Sequence, residues 1–341
     1  MSGINVTSKF INFICFPWKQ KETTHSKKAA AWAAFLFVGW IYHPLKATQR
    51  GYKKLIHPNA AGEKVNSLGK RTLLKDPISK TLAAFDNPRI QGQINGIYIT
   101  TNETNLATTR ELLRKHPRPS NEKPTIHIGC ATWHNFDMMF ERKSNYGLIV
   151  DFNPQNAKFI QKTIEIINLS ESRDSFKENM LSFLNSLKGE QKNVFFHKDQ
   201  EGLPTDRIEK ELKREGSWLE TEESYLFIKK LASSERLVSI TEDITNFETF
   251  SRIRKFLDHN NIAVDTLYLS NICNFMNTDS NKKAFEKSIK HMLSGETILV
   301  NCPKIKEANT AKLVILHQKA SLGSEILASS YDSRKLFEET T

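Results

Sequence analysis

No two of the chain's four cysteines are close together. Cys15, Cys130, Cys273 and Cys302 are scattered, so the sequence encodes neither a zinc ligand set nor a disulfide framework. Three of them sit in or beside apolar, strand-like runs, where the expectation is buried thiols in a reducing compartment. The sequence also has no GxxxxGK[ST], no HxxxH, no GxSxG and no His/Asp/Glu set at metal-ligand spacing. These gaps argue against a P-loop nucleotidase, a zincin and an α/β-hydrolase. Internal repeats and low-complexity tracts are missing as well.

Long apolar runs are nearly absent too. The one exception is "AAAWAAFLFVGWIYHPL", Ala29 to Leu45, which is 17 uncharged residues long. That is the short end of a helical membrane span, since about 20 residues cross the hydrocarbon. Trp32, Trp40 and Tyr42 suit the interface, and Lys27, Lys28, Lys46, Arg50, Lys53 and Lys54 flank the run. More bases follow it than precede it, which puts the body of a spanning chain on the cytoplasmic side. The alternative is a hydrophobic helix docked on the body.

The body lacks a charge excess. The formal charge is +11, and residues 1–75 hold 13 Lys/Arg against only Glu22 and Glu63, which accounts for all of it. A neutral body has no general grip on a polyanion, so nucleic acid is disfavoured as a partner, and a membrane lipid surface contacted through residues 27–54 is the favoured one.

From about Lys46 to Arg89 the chain reads as a proline-interrupted connector with short helices. "GIYIT" (Gly96–Thr100) has the pattern of a short strand, and Asn105–His116 that of a helix. After the break "PRPSNEKP", strand and helix patterns alternate. The strands are "TIHIG", "YGLIVDF", "RLVSITEDI", "IAVDTLYLSNI" and "ETILVNCP", with "AKLVILHQ" as a late strand able to pair antiparallel at an edge. Asn153 is placed to cap a helix that opens with Pro154, and Ser170 to cap the next one. Residues 188–217 are polar and read as an insertion outside the sheet. This alternation predicts an α/β domain with a mostly parallel sheet and helices on both faces. The predicted organisation is a basic arm over 1–75, a connector and helical cap over 76–120, the sheet domain over 121–320 and a polar tail over 321–341.

Ligands of such sheets bind at the C-terminal strand ends, beside the switch point. The first strand ends in "GCATWHNF", the second at Asp151 and Asn153, the third at Glu242 and Asp243, the fourth at Ser270 and Asn271. Gly129 stands alone in its turn, and Trp133 and His134 stand where a pyrophosphate needs small residues, which argues against NAD or FAD. A carboxylate at Asp151 can accept from both ribose hydroxyls of an adenosine, or it can be a turn acid.

"IHIGCATWHNFDMMFERKSNYGLIVDFNPQNAKFI" together with "VDTLYLSNICNFM" resembles the S-adenosylmethionine-dependent methyltransferase-like superfamily, with the flavour of the betaine-lipid-type 3-amino-3-carboxypropyl transferases. The resemblance rests on Gly129, Asp151–Asn153–Pro154–Gln155 and Leu269–Ser270–Asn271, and spans roughly residues 120–302. It implies a Rossmann-like, doubly wound fold and S-adenosylmethionine as cofactor. It also implies cofactor contacts at Gly129, Asp151, Asn153, Asp243 and Ser270, and a nucleophile oriented by His134, Tyr268 and Asn271. Each of the last three has a plainer reading: His134 as a helix-start cap, Tyr268 as strand packing, Asn271 as a turn former. The expectation is a membrane-associated transferase of methyl or aminocarboxypropyl groups with a lipid as one possible acceptor. The alternative is a non-catalytic binding or regulatory protein on the same fold.

Overall fold

A computed structural model describes residues 74–90, 97–119, 122–187, 204–302, 304–305, 315–316 and 318–328. All of them belong to one unit that begins at Leu73. The run 29–45 lies outside the described residues, and among those described no helix is long and apolar enough to cross a membrane.

Two helices come first, α1 (Pro77–Ala83) and α2 (Leu106–Lys115). The alternating part follows as β1 (Thr125–Cys130), α3 (His134–Arg142), β2 (Tyr146–Asp151), α4 (Pro154–Leu169), α5 (Arg173–Ser186), α6 (Pro204–Lys213), α7 (Glu222–Ser233), β3 (Leu237–Thr241), α8 (Phe247–His259) and β4 (Ala263–Ser270). A 3-10 turn (Ile272–Phe275), α9 (Asp279–Met292), β5 (Ile298–Asn301), the short pair β6 (Lys304–Ile305) and β7 (Ile315–Leu316), β8 (Lys319–Leu322) and α10 (Gly323–Ala328) complete it.

The main sheet runs β3-β2-β1-β4-β5-β8. Its first five strands are parallel, and β8 pairs antiparallel to β5. The chain reverses its direction of travel across the sheet between β1 and β4, so the switch point lies at the ends of those two strands. Along β2, Leu148 and Val150 join a core with Phe250, Ile253, Phe285 and Ile289 of α8 and α9. Ile149 points the other way, to a core built by α3, α4, α5 and α7 around Trp133, Phe159 and Phe176. The two-residue period of a strand thus gives each face its own layer of helices.

Three local expectations change. The Gly96–Thr100 stretch forms no strand over its described residues 97–100, although Ile97 and Ile99 are fully buried; its backbone serves the β1 turn, with Ile99 O accepting from Trp133 N at 3.0 Å. The edge strand is β8, whereas Ile315–Leu316 within the apolar run pairs with Lys304–Ile305 in a separate ribbon. The cap of α5 is Ser172, in a reciprocal box with Ser175. Ser170 closes α4 instead, donating to Ile166 O at 2.7 Å. Asn153 caps α4 as the sequence predicts, and Pro154 opens it. Within the expected polar tail, residues 323–328 form α10.

Candidate functional site

The face of β1 that looks toward α3 carries His127 and Gly129, with no large apolar side chain between them. Asn135, in the first turn of α3, fills the gap. A methyl group at Gly129 would stand 2.0 Å from Asn135 Oδ1, 2.9 Å from His127 Nε2 and 3.1 Å from Tyr268 Cβ. The volume that a side chain would take at Gly129 is therefore filled by protein. Asn135 donates to the carbonyls of Cys130 and Thr132 and takes a bond from His127 Nε2 at 3.0 Å; Thr266 Oγ1 lies 2.5 Å from the other ring nitrogen. Burial pushes His127 down to about 4, so it sits neutral in this seam.

The turn after β1 passes through Ala131 in the left-handed region, with φ 63°. Ser270, at the end of β4, is left-handed as well, with φ 49°. Two non-glycine residues thus hold costly backbone on the two strand tips that flank the switch point, and such strain persists only where neighbours enforce it. At Ala131 the enforcing neighbour is Asp151, which accepts from the Ala131 backbone, from Asn153 N at 2.7 Å and from Asn156 Nδ2 at 2.5 Å. Burial raises Asp151 to about 6 despite those bonds. At Ser270 it is Glu103, whose Oε1 accepts from Ser270 Oγ at 2.5 Å and from Tyr268 Oη at 2.8 Å.

Glu103 is 7% exposed and belongs to the segment before α2. Its Oε2 accepts from Gln318 Nε2 at 2.7 Å, and the same nitrogen lies 3.0 Å from His134 Nε2. Reversing that amide would set an oxygen against a carboxylate, so Gln318 donates in both directions and His134 Nε2 is an acceptor. His134 then carries its proton on Nδ1, which faces Asp137 Oδ2 at 2.6 Å. Asp137 also accepts from Trp218 N at 2.7 Å and Arg214 Nη2 at 2.5 Å, and Arg214 is shared with Glu211. Burial alone would raise Asp137, but the Arg214 charge and the His134 bond outweigh it and hold the carboxyl below its usual range. Burial and then Glu103 push the Tyr268 hydroxyl far up.

The eight residues named by the sequence therefore fall into separate groups. His134, Tyr268 and Ser270 converge through Glu103 and Gln318, and Asn271 adjoins them, with its Oδ1 3.4 Å from Ser270 Oγ. Asp151 and Asn153 form the β2 tip, where the Asn153 side chain is committed to capping Gln155 N at 3.0 Å. Asp243 stands at the β3 tip and is occupied by Thr245, whose backbone and hydroxyl both donate to it at 2.8 Å. Trp133 leaves the site altogether: it is fully buried, donates to Thr163 Oγ1 and stacks on Phe159 at 5.8 Å between centroids. Four partners were missed in the sequence. Asp137 was within reach, since it lies one turn after His134; Glu103, Arg214 and Gln318 come from remote segments. The stretch 188–217, read as a mere excursion, supplies Arg214 and Glu211 from its described part.

Among the described residues no group of three or more metal-ligating side chains is found. A narrow cleft between α2, α3 and the turn at Gly216 reaches His134 and Asp137, with Thr109 and Arg110 on its wall. No curated protein matches the chain. Residues 98–320 match the family model described as "Domain of unknown function (DUF7790)", which covers well over half of the chain, and the protein belongs to that family.

Proposed function

We propose that the protein is an S-adenosylmethionine-dependent transferase with a Rossmann-like, doubly wound domain, held at the cytoplasmic side of a membrane by residues 27–54. The observation that carries the reading is the acid at the β2 tip. Asp151 is tied to the turn after β1, in a sheet whose strand order reverses between β1 and β4. A carboxylate has about four acceptor directions and Asp151 uses three on protein donors, which leaves one for a ribose hydroxyl. Phe152 beside it is 43% exposed and offers an aromatic surface for an adenine. The fit thus lies at the adenosine end, and Asp151 with Phe152 would hold it. The cofactor supplies an activated sulfonium when bound; on this reading Ser270 would belong to the cofactor contacts, and His134, Tyr268 and Asn271 would orient the acceptor.

The alternative, a binding or regulatory protein that has lost transfer activity, draws support from Glu103, His134 and Gln318, which fill the switch-point crevice with bonds to one another. Titration calorimetry of the full chain with S-adenosylmethionine and S-adenosylhomocysteine separates the two. The transferase reading expects binding of both ligands, weakened tenfold or more in Asp151→Ala. Affinity should also decline as the pH falls through 6, where Asp151 takes up its proton. A folded chain that binds neither ligand overturns it.

A further inference from the structure

We propose that the space between Glu103 and His134 is a binding site for an amine or ammonium group, and that the Gln318 amide nitrogen stands in for it. One nitrogen there donates to Glu103 Oε2 at 2.7 Å and to His134 Nε2 at 3.0 Å. A primary amine or an ammonium presents its N–H groups in the same way, and an ammonium adds the positive charge that Gln318 lacks.

Charge is the second reason. Buried carboxylates are ordinarily paired with a cation. Asp137 and Glu211 share Arg214. Glu103 is bonded to two hydroxyls and an amide, and among the described residues no cationic side chain pairs with it. Among the described residues, then, the partners that face Glu103 where Gln318 sits bring no formal positive charge. The stand-in is also imperfect: Gln318 is fully buried and its Oε1 has no hydrogen-bond partner. Thr109, 2% exposed on the wall of the cleft that leads to His134, has an unpartnered Oγ1 too.

The ring next to Glu103 gives the site a chemical use. An ammonium becomes a nucleophile when one N–H bond breaks, the electron pair stays on nitrogen and the proton passes to His134 Nε2. The imidazolium so formed keeps its Nδ1 proton on Asp137, whose place is fixed by Arg214 and Trp218 N. An acceptor nitrogen is thus the substrate class; that use rests on the transferase reading, whereas the binding of an amine does not.

The test can be built into the chain and needs no cofactor. Gln318→Lys places an ammonium on Glu103, and Gln318→Met fills the same space without charge or donor. Thermal melts of the two full-length variants should place Lys at or above the wild type and Met several degrees below it. A Lys variant that melts as low as the Met variant overturns the proposal. In Gln318→Ala, methylammonium chloride at constant ionic strength should raise the melting temperature by roughly 2–4 °C. Acetamide should do less, and Glu103→Gln in the same chain should abolish the rise. No rise, or a rise untouched by Glu103→Gln, also sinks the site, while S-adenosylmethionine binding remains a separate measurement.

Discussion

Asp151 has two opposing influences on it. Burial favours its neutral form, and donors from Ala131, Asn153 and Asn156 favour the carboxylate; burial wins, and the group titrates at about 6 against 3.8 for the free side chain. A folded-state value above the unfolded one means that the folded protein gains stability by binding the proton. That gain is fully present below about pH 4 and is lost as the pH rises through 6. Asp151→Asn cannot titrate, so the stability difference between wild type and variant should fall between pH 4 and 6.5 and be flat above. Its change is at most about 3 kcal/mol, reduced by solvent at this half-buried position. Urea titrations at several pH values measure it, and a difference constant with pH would place the carboxyl in its ordinary range. At this scale the sequence is partly legible. Asp151 is visible because it ends an apolar strand. Glu103 and Gln318 are not, because they lie 215 positions apart and only the fold makes them neighbours. What stands beside Gly129 is hidden for a related reason: it is decided by the element that faces the glycine, here Asn135 of α3.

α3 is the element on which the candidate site stands, and it is held at both ends. At its start Asn135 fits the Gly129 notch. At its end Arg142, 2% exposed, bonds both oxygens of the fully buried Asp265 in β4 at 2.8 and 2.6 Å and reaches the carbonyls of Leu113 and His116. This ties α2 and α3 to the sheet at the far end from the strand tips. Asp265→Ala leaves the guanidinium buried without its counter-charge and should cost about 3–5 kcal/mol of unfolding free energy in urea. Replacing the partly exposed pair Arg254 and Asp258 should cost under about 1 kcal/mol. A loss at Asp265 no larger than that would mean the pair does not hold the helix. The elements themselves were mostly readable, since buried strands, helical stripes and caps such as Asn153 are local signals. The edge was not. β8 is "KASL", four half-buried residues whose alternation is carried only by Ala320 and Leu322, and the longer apolar run before it looked the better strand. Pairing with β5 went to this shorter segment, and at its end Gly323, the first residue of α10, bonds Thr297 O through its N at 2.7 Å.

For the whole molecule the decisive property is the division of charge. Residues 76–341 hold as many acids as bases, so the unit that carries the site has no net attraction for anionic headgroups, and the 13 bases of residues 1–75 must supply any that exists. The unit that starts at Leu73 can be separated from most of that charge by removing residues 1–72. With vesicles containing phosphatidylserine, the full chain should float and the shortened chain should stay at the bottom of the gradient. Salt then separates the two ways an arm can hold. Basic residues alone release the protein near 0.5 M salt, because exposed charges are screened within a few ångströms. Burial of the run Ala29–Leu45 in the bilayer resists salt and yields only to detergent, since apolar burial is not screened. Equal flotation of the full and shortened chains would move membrane contact to the sheet unit, where the exposed Phe275 beside the β4 tip would be the first side chain to replace.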